Sequence, residues 1–257
     1  MLDVLGPDGW LVLTGAGVST DSGIPDYRGP GSVARTPMTY QEFVATTEAQ
    51  QTYWARAHVG WSHMRQAAPN ATHTGLADLE AAGVLTGLIT QNVDGLHERA
   101  GHRDVVDLHG RADRVVCLDC RRTSPRDHER ERFAAANPDF DRTGEVRPDG
   151  DVVLDRTDDF VLVACEACGG RLKPDVVFFG ESVPKPTVAH CFDLVDQARS
   201  LLVLGSSLTV MSGLRFVRAA AKADKPIVIV NRGTTRGDDL ATLKIDAGCA
   251  ETLAFPA

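Results

Sequence analysis

The 257-residue sequence has no excess of positive charge and no long apolar run. Its formal net charge of -8 argues against a nucleic-acid-binding protein that works through phosphate contacts, because such proteins carry a basic face. The apolar runs have the length of strands rather than of membrane spans, so we predict no membrane partner. The first residues lack the features of a signal or transit peptide, and we therefore expect a cytoplasmic protein.

Cysteine is scarce, but four of the six cysteines form two Cys-x-x-Cys pairs. Cys117 and Cys120 make the first pair, and Cys165 and Cys168 make the second. In a cytoplasmic protein this pattern favours a metal over disulfides. Four thiolates complete a tetrahedral shell around zinc and leave no open position for a substrate. The spacing therefore predicts one structural zinc ion.

Two other interpretations of the cysteine pairs stay open. A pair of redox motifs would need a thioredoxin-like strand and a helix N-terminus at the thiols, and neither pair has that context. A zinc ribbon that binds nucleic acid would use the arginines near the first pair, but the rest of the chain is acidic.

Short apolar runs alternate with segments of helical periodicity, which predicts an α/β fold. The runs are continuous and rich in branched residues, as is typical of strands buried on both faces of a parallel sheet. They occupy residues 10–13, 85–90, 105–108, 176–179, 201–204 and 227–230. We predict a doubly wound, Rossmann-like parallel sheet that binds ligands at the carboxyl ends of its strands.

Two stretches of the chain do not fit this sheet. Residues 30–71 have only weak helical periodicity, and residues 113–171 contain both cysteine pairs with a charged, proline-containing insert between them. We therefore predict a Rossmann-like domain formed by residues 1–29, 72–112 and 172–257. Residues 30–71 and 113–171 would form a smaller helical and zinc-binding domain.

A glycine-rich turn follows the first predicted strand and indicates a nucleotide site. Gly15 and Gly17 would let the backbone approach a pyrophosphate, to which the following helix offers unpaired N–H groups. Residues 23–31 then form a polar loop, where an ordinary dinucleotide fold continues its helix towards an acidic strand end. This loop disfavours a Rossmann dehydrogenase.

Polar side chains also follow two other predicted strands. Gln91, Asn92 and Asp94 follow the strand at 85–90, where ligands of α/β proteins bind, although an Asn-x-Asp sequence is also common in turns. His109 follows the strand at 105–108 and is placed as a general base, although a single histidine is more commonly structural.

The order of these motifs resembles the sirtuin (Sir2) family from residue 11 to about residue 253. It runs through Gly-Ala-Gly-Val-Ser, Thr-Gln-Asn-Val-Asp-Gly-Leu-His, Leu-His-Gly, the two Cys-x-x-Cys pairs, Lys-Pro-Asp-Val-Val-Phe-Phe-Gly-Glu and Gly-Ser-Ser-Leu. Segments 37–43, 53–56, 147–151 and 235–240, with the long insert between the cysteine pairs, resemble the class II, sirtuin-4-like bacterial branch. Tyr27 is shared with that branch, where many sirtuins have Phe.

The resemblance implies an NAD-dependent protein lysine deacylase (deacetylase), which consumes NAD and releases nicotinamide and O-acyl-ADP-ribose. His109 would be the general base, with Asn92 and Asp94 as further catalytic residues. The acyl-lysine peptide would add as a strand along Val176, Val177, Phe178, Phe179 and Gly180. NAD would be bound by Gly15, Ala16, Gly17, Ser19, Asp26, Tyr27, Arg28, Gln91, Asn92, Asp94, Gly205, Ser206, Ser207, Asn231, Gly233 and Cys249.

The resemblance leaves the acyl group and one alternative reaction open. Desuccinylating sirtuins recognise an acidic acyl chain with a Tyr-x-x-Arg pair, and Tyr53 and Arg56 have the same residue types and spacing. Alignment on Trp54, however, places the positions of that pair at Ala57 and Gly60. We therefore expect acetyl removal, with longer or branched acyl groups as further substrates. The alternatives are protein mono-ADP-ribosyl transfer and a non-catalytic NAD or acyl-lysine sensor. The oligomeric state is not predicted.

Overall fold

The computed structural model describes residues 1–26, 37–140, 154 and 156–253. The chain divides into two units, which we call the large unit and the small unit. The large unit is formed by Met1–Arg35, Ala68–Leu108 and Val183–Ala257, and the small unit by Thr36–Ala67 and His109–Ser182. No helix in the described part of the chain is long and apolar enough to cross a bilayer.

The large unit contains a six-stranded sheet formed by β1 (Trp10–Thr14), β2 (Leu85–Thr90), β3 (Val105–Asp107), β7 (Ser200–Leu204), β8 (Ile227–Val230) and β9 (Leu243–Ile245). Every pairing in this sheet is parallel, and the strand order is β3-β2-β1-β7-β8-β9. The strand order reverses between β1 and β7, and α/β proteins bind ligands at the carboxyl ends of the strands at such a point. The predicted fold class is confirmed.

Helices cover both faces of this sheet. Successive residues of β1 point to opposite faces, and because the first four are all apolar, both faces must be buried. Leu11 and Leu13 pack in a core with α7 (Lys185–Gln197) and α8 (Met211–Lys222). Trp10 and Val12 pack in a second core on the other face. The helices on that face are α1 (Leu2–Leu5), α4 (Ala71–Ala81) and α9 (Cys249–Leu253). The short α5 (Leu96–Arg99) follows β2.

The small unit contains a three-stranded antiparallel sheet in the order β5-β4-β6. Its strands are β4 (Gly110–Cys117), β5 (Thr123–Pro125) and β6 (Leu172–Val176), and its helices are α2 (Tyr40–Ala45), α3 (Thr47–Gln66) and α6 (Arg126–Ala136). Phe43, Trp54, Phe133 and Phe160 are fully or almost fully buried in its core. The Trp54 indole N–H also donates to the carbonyl of Leu172 at 3.1 Å, which satisfies its polar atom inside that core.

The predicted strand at 176–179 was wrong. The strand ends at Val176 and pairs antiparallel with β4 in the small unit, not with the parallel sheet. Gly110 has φ +75°, and a Cβ there would lie 2.1 Å from the Asp175 carbonyl oxygen, so only glycine allows the backbones to meet. Residues 109–112 and 172–182 consequently lie in the small unit, whereas residues 68–71 lie in the large unit.

Candidate active site and metal centre

The two glycine loops after β1 and β7 are in direct backbone contact. Gly17 N donates to the Gly205 carbonyl at 2.8 Å, and Gly15 N donates to the Leu204 carbonyl at 3.0 Å. A Cβ on Gly15 or Gly17 would lie within 2.9 Å of the second loop, and Gly205 itself has φ +58°. The glycines therefore permit a close approach of two protein loops at the point where the strand order reverses.

A hydrogen-bonded network of three polar side chains lies beside these loops. The amide Nδ2 of Asn92 donates to the Gly15 carbonyl and to the hydroxyl of Ser19, both at 3.1 Å. The Ser19 hydroxyl donates in turn to Asp94 Oδ2 at 2.7 Å. The other Asp94 oxygen accepts the backbone N–H of Leu96 at 2.9 Å. The Gly-Ala-Gly and Gln-Asn-Val-Asp motifs, distant in sequence, are thus brought together by direct bonds.

Gln91 connects the same region to the loop after β7. Its amide Nε2 donates to the Thr14 carbonyl at 3.1 Å and to the Ser206 hydroxyl at 2.8 Å. A Cβ on Gly213 would lie 2.6 Å from Gln91 Oε1, so the side chain is confined on that side as well. Ser207, the next residue of the loop, lies at hydrogen-bond distance from Thr209, with 3.1 Å between the hydroxyl oxygens.

The loop after β8 contains Asn231 and Gly233. Asn231 N donates to the Ile245 carbonyl at 3.1 Å, and Gly233 N donates to Asp246 Oδ1 at 3.0 Å. The Lys244 ammonium donates to the carbonyls of Asn231 at 2.7 Å and Gly233 at 2.9 Å. This loop is therefore fixed by side chains of the neighbouring edge strand and of the turn that follows it.

The remaining predicted cofactor residues are less closely connected. Cys249 begins α9 and is buried, and this burial raises the pKa of its thiol to about 12, which keeps it uncharged at neutral pH. Asp26 is half-buried at the end of the first described segment. Tyr27 and Arg28 lie outside the described residues.

His109 is the first residue of the small unit and follows directly on Leu108. Its carbonyl accepts the backbone N–H of Val177 at 2.8 Å, which continues the pairing between β4 and β6. The predicted peptide-binding segment therefore begins on β6, which is an edge strand of the three-stranded sheet. Phe179, further along, accepts from Tyr40 N at 2.9 Å, and its side chain is 42% exposed.

The four predicted zinc ligands come together in the small unit. Their sulfur atoms all lie within 4.8 Å of one another, with 3.5 Å between Cys117 and Cys168 and 3.8 Å between Cys120 and Cys165. Zinc–sulfur bonds of about 2.3 Å in a tetrahedron place the thiolates about 3.8 Å apart, so the cluster fits one zinc ion. Tight turns hold each pair, with Arg121 N donating to the Cys117 carbonyl and Gly169 N to the Cys165 carbonyl.

β1 and β2 each end in a threonine that we did not predict as part of the site. Thr14 and Thr90 are both buried, and the hydroxyl of Thr14 donates to that of Thr90 at 2.9 Å. The available signal was a hydroxyl residue at the carboxyl end of each of two apolar strands. His97, on α5, contacts the Thr14 hydroxyl as well.

Comparison with known proteins places this arrangement in a family. The model of the Sir2 family matches residues 15–212. "NAD-dependent protein deacetylase 1" of Streptomyces coelicolor is 58% identical over 248 residues, which cover 95% of this chain and 83% of the relative. "NAD-dependent protein deacetylase 1" of Mycobacterium avium is 56% identical over 250 residues, which cover 95% and 89%.

A solved complex of Sir2 with a p53 peptide and NAD+ has the same fold, with a TM-score of 0.76 and 32% sequence identity. The match covers 95% of this chain and 90% of that one. The family model spans most of the sequence, and the relatives are similar over almost its whole length. The chain therefore belongs to the Sir2 family, the sirtuins.

Proposed function

We propose that this protein is an NAD-dependent protein lysine deacylase whose basic activity is deacetylation. One observation carries the proposal: the Ser19 hydroxyl is hydrogen-bonded to both Asn92 and Asp94 beside the glycine loops where the strand order reverses. Relatives more than half identical to the chain are named NAD-dependent protein deacetylases, which supports the same activity. The acyl-lysine substrate would be a protein or peptide.

We assign the binding of NAD to the large unit. NAD supplies the ADP-ribosyl group that accepts the acyl group, and nicotinamide is the leaving group. Gly15, Ala16, Gly17 and Ser19 would hold the phosphates, and Gln91, Asn92 and Asp94 the nicotinamide ribose. Because Asn92 and Asp94 are already oriented by Ser19 and Gly15, they would bind the ribose without reorganising.

The adenosine half of NAD would lie along the loops after β7 and β8. Gly205, Ser206, Ser207, Asn231, Gly233 and Cys249 would line it. Asp26, Tyr27 and Arg28 would complete the nicotinamide side from the polar loop. The fixed backbone at Asn231 and Gly233 supports a binding role, since a preformed loop loses little conformational entropy when a ligand binds.

His109 would act as the general base that removes a proton from a ribose hydroxyl. An imidazole suits this task because its ordinary pKa lies near neutral pH. Before this step, the amide oxygen of the acyl-lysine would attack the anomeric carbon and displace nicotinamide. The deprotonated hydroxyl oxygen would then attack the carbon of the resulting imidate, and addition of one water molecule with loss of the lysine amine would yield free lysine and O-acyl-ADP-ribose. Water competes for the reactive anomeric carbon, so the chemistry needs a site from which water is excluded.

The small unit would bind the peptide and the structural zinc ion. β6 is an edge strand of the three-stranded sheet in the described part of the chain, and an extended peptide can add to such an edge through main-chain hydrogen bonds. We also assign the chain to the class II, sirtuin-4-like branch, supported by its motifs at 37–43 and 235–240. A cytoplasmic location and the absence of nucleic-acid partners remain predictions from the sequence.

A panel of acyl peptides tests the proposed function. The protein is incubated with NAD and one lysine peptide bearing acetyl, lipoyl, succinyl or methylglutaryl groups, and mass spectrometry follows peptide and NAD products. Loss of an acyl group with matching release of nicotinamide supports deacylation and identifies the preferred acyl chain. Nicotinamide release with a mass gain on protein would instead indicate ADP-ribosyl transfer. No turnover with any peptide would contradict the proposal.

A further inference from the structure

Three histidines form a cluster inside the large unit, outside the set of residues assigned to NAD, with their rings in tilted or edge-to-face contact. The rings of His73 and His97 have centroids 4.8 Å apart, and those of His97 and His102 are 5.3 Å apart. All three side chains are buried, with 5% exposure at most. Each outer histidine contacts its own polar neighbour: His73 Nδ1 accepts the backbone N–H of Asn70 at 3.2 Å, and His102 Nδ1 lies 3.5 Å from Glu80 Oε1.

The central histidine is connected to the strand ends instead. His97 Nε2 lies 3.0 Å from the hydroxyl oxygen of Thr14, and that hydroxyl donates to the hydroxyl oxygen of Thr90 at 2.9 Å. A threonine hydroxyl has a single proton to donate, and Thr14 gives this proton to Thr90. Thr14 must therefore accept from His97, which requires the proton of a neutral His97 to be on Nε2.

The surroundings of Nδ1 agree with this assignment, because a buried N–H without an acceptor would be costly. His97 Nδ1 is buried without a hydrogen-bond partner in the part of the chain that the structure describes. Burial, together with the neighbouring His73 and His102 rings, holds the pKa of His97 well below its usual range. The imidazole is therefore uncharged at neutral pH and offers one donor, directed at Thr14.

The two threonines carry this contact to residues of the NAD site. The Thr14 carbonyl accepts both the backbone N–H of Gln91 at 3.0 Å and its side-chain amide at 3.1 Å. The Thr90 hydroxyl oxygen accepts the backbone N–H of Asn92 at 3.1 Å. Buried hydrogen bonds thus connect an imidazole on α5 to Thr14 and Thr90, and these two threonines make half-buried bonds to Gln91 and Asn92.

We propose that His97, as its neutral Nε2–H tautomer, is a positioning residue that fixes Gln91 and Asn92 through the hydroxyls of Thr14 and Thr90. The contact of Gln91 and Asn92 with NAD rests on the proposed function. His97 itself bonds to Thr14 rather than to a residue of the predicted site. Buried hydrogen-bond networks of this kind fix a single arrangement because an unsatisfied member is costly.

The tautomer is measured first, because that result does not depend on catalysis. Two-bond ¹⁵N–¹H NMR spectra of histidine-labelled protein at pH 7 report which ring nitrogen of His97 carries the proton, with His97→Gln identifying its signals. We expect a protonated Nε2 and an unprotonated Nδ1. A proton on Nδ1, or on both nitrogens, would overturn the proposal even if the protein proved to have no deacylase activity.

A double-mutant cycle then tests whether His97 acts on the site through Thr14. We compare His97→Leu, the isosteric Thr14→Val and the double variant by NAD affinity, kcat and KM. Each single change is expected to lower kcat/KM about 10-fold, because small misplacements of site residues are costly. The double variant should lose no more than either single variant, and His97→Gln, which keeps an N–H donor, should recover part of the loss.

His102→Leu is the matched control, since His102 is also buried in the same histidine cluster but makes no hydrogen bond to Thr14 among the described residues. We expect this variant to lose stability while its kcat/KM stays within about 2-fold of the wild type. Additive losses in the cycle, or an equal loss of kcat/KM in His102→Leu, would show a general packing role and overturn the positioning proposal. If wild-type protein does not deacylate, NAD affinity and the NMR result still test the network.

Discussion

The hydroxyl of Ser19 donates to Asp94 Oδ2 at 2.7 Å, joining the glycine-rich motif to the Gln-Asn-Val-Asp motif. Ser19 is 1% exposed, so its hydrogen bond to a carboxylate is shielded from competing water. We predict that Ser19→Ala lowers the free energy of unfolding by about 2 kcal/mol, as for other hydrogen bonds to charged groups. It should also raise the Kd for NAD, because Asp94 and Asn92 lose the residue that joins them.

Urea unfolding and isothermal calorimetry check this prediction. Thr20→Ala is the control, because Thr20 is exposed and its hydroxyl donates to the nearby Gly17 carbonyl rather than to Asp94. An unchanged NAD affinity in Ser19→Ala would show that this bond serves stability alone.

Lys244 offers a test of the residues assigned to the adenosine half of NAD. Its ammonium bonds to the carbonyls of Asn231 and Gly233, so we predict that Lys244→Met raises the Kd for NAD by about 10-fold through loss of a preformed loop. Lys225 makes a matched control: it is also half-buried, and its ammonium bonds to the carbonyls of Asp196 and Ala198 instead.

Calorimetry on both variants separates loop positioning from general stability. Both should lose some stability, since each loses two charge-assisted bonds. Equal NAD affinities in Lys244→Met and Lys225→Met would argue against a role for the loop after β8.

Zinc should be bound at one ion per chain and should stabilise the small unit. A closed four-cysteine site contributes directly to folding, so Cys120→Ser is expected to lose the metal and to lower the melting temperature or solubility. Elemental analysis and thermal denaturation measure both effects. Cys191→Ala is the control. Cys191 is buried in the core of the large unit, away from the four-cysteine cluster, so this variant should retain zinc.

Burial lowers the pKa of His73 from 6.5 to about 4, with a further contribution from the nearby His102. The unfolded chain therefore binds more protons than the folded chain between these values, and stability must fall as pH falls from 6.5 towards 4. The full difference corresponds to about 3 kcal/mol. Urea unfolding at pH 7 and pH 5 should show a smaller loss for His73→Gln than for the wild type, and equal losses would contradict the shift.

The sequence predicted the parallel sheet because its strands are continuous apolar runs. It could not tell that the run at 176–179 belongs elsewhere, since an apolar stretch does not reveal which sheet it joins. That choice depends on the backbone contact of Gly110 with Asp175, a pairing of residues distant in the chain. β9 was missed for a related reason: it is three residues long and only half-buried, so its apolar signal is weak.

The motifs predicted the polar residues of the candidate site, but not the bonds between them. Asn92 and Asp94 follow an apolar strand and are visible in the sequence, whereas the contact of Asn92 with Ser19 depends on the pairing of β1 with β2. Thr14, Thr90 and His97 were overlooked because threonine is common in strands and a buried histidine is usually a packing residue. Their roles emerge only when distant segments are placed side by side.

The most direct test of the account compares wild-type protein with His109→Ala on an acetyl-lysine peptide. Mass spectrometry measures free lysine peptide, nicotinamide and O-acetyl-ADP-ribose in the same samples. We predict equal amounts of all three products with the wild type. In His109→Ala we expect turnover at least about 10²-fold lower, with zinc content and NAD affinity retained. Deacetylation without the two NAD products, or near-normal turnover in His109→Ala, would contradict it.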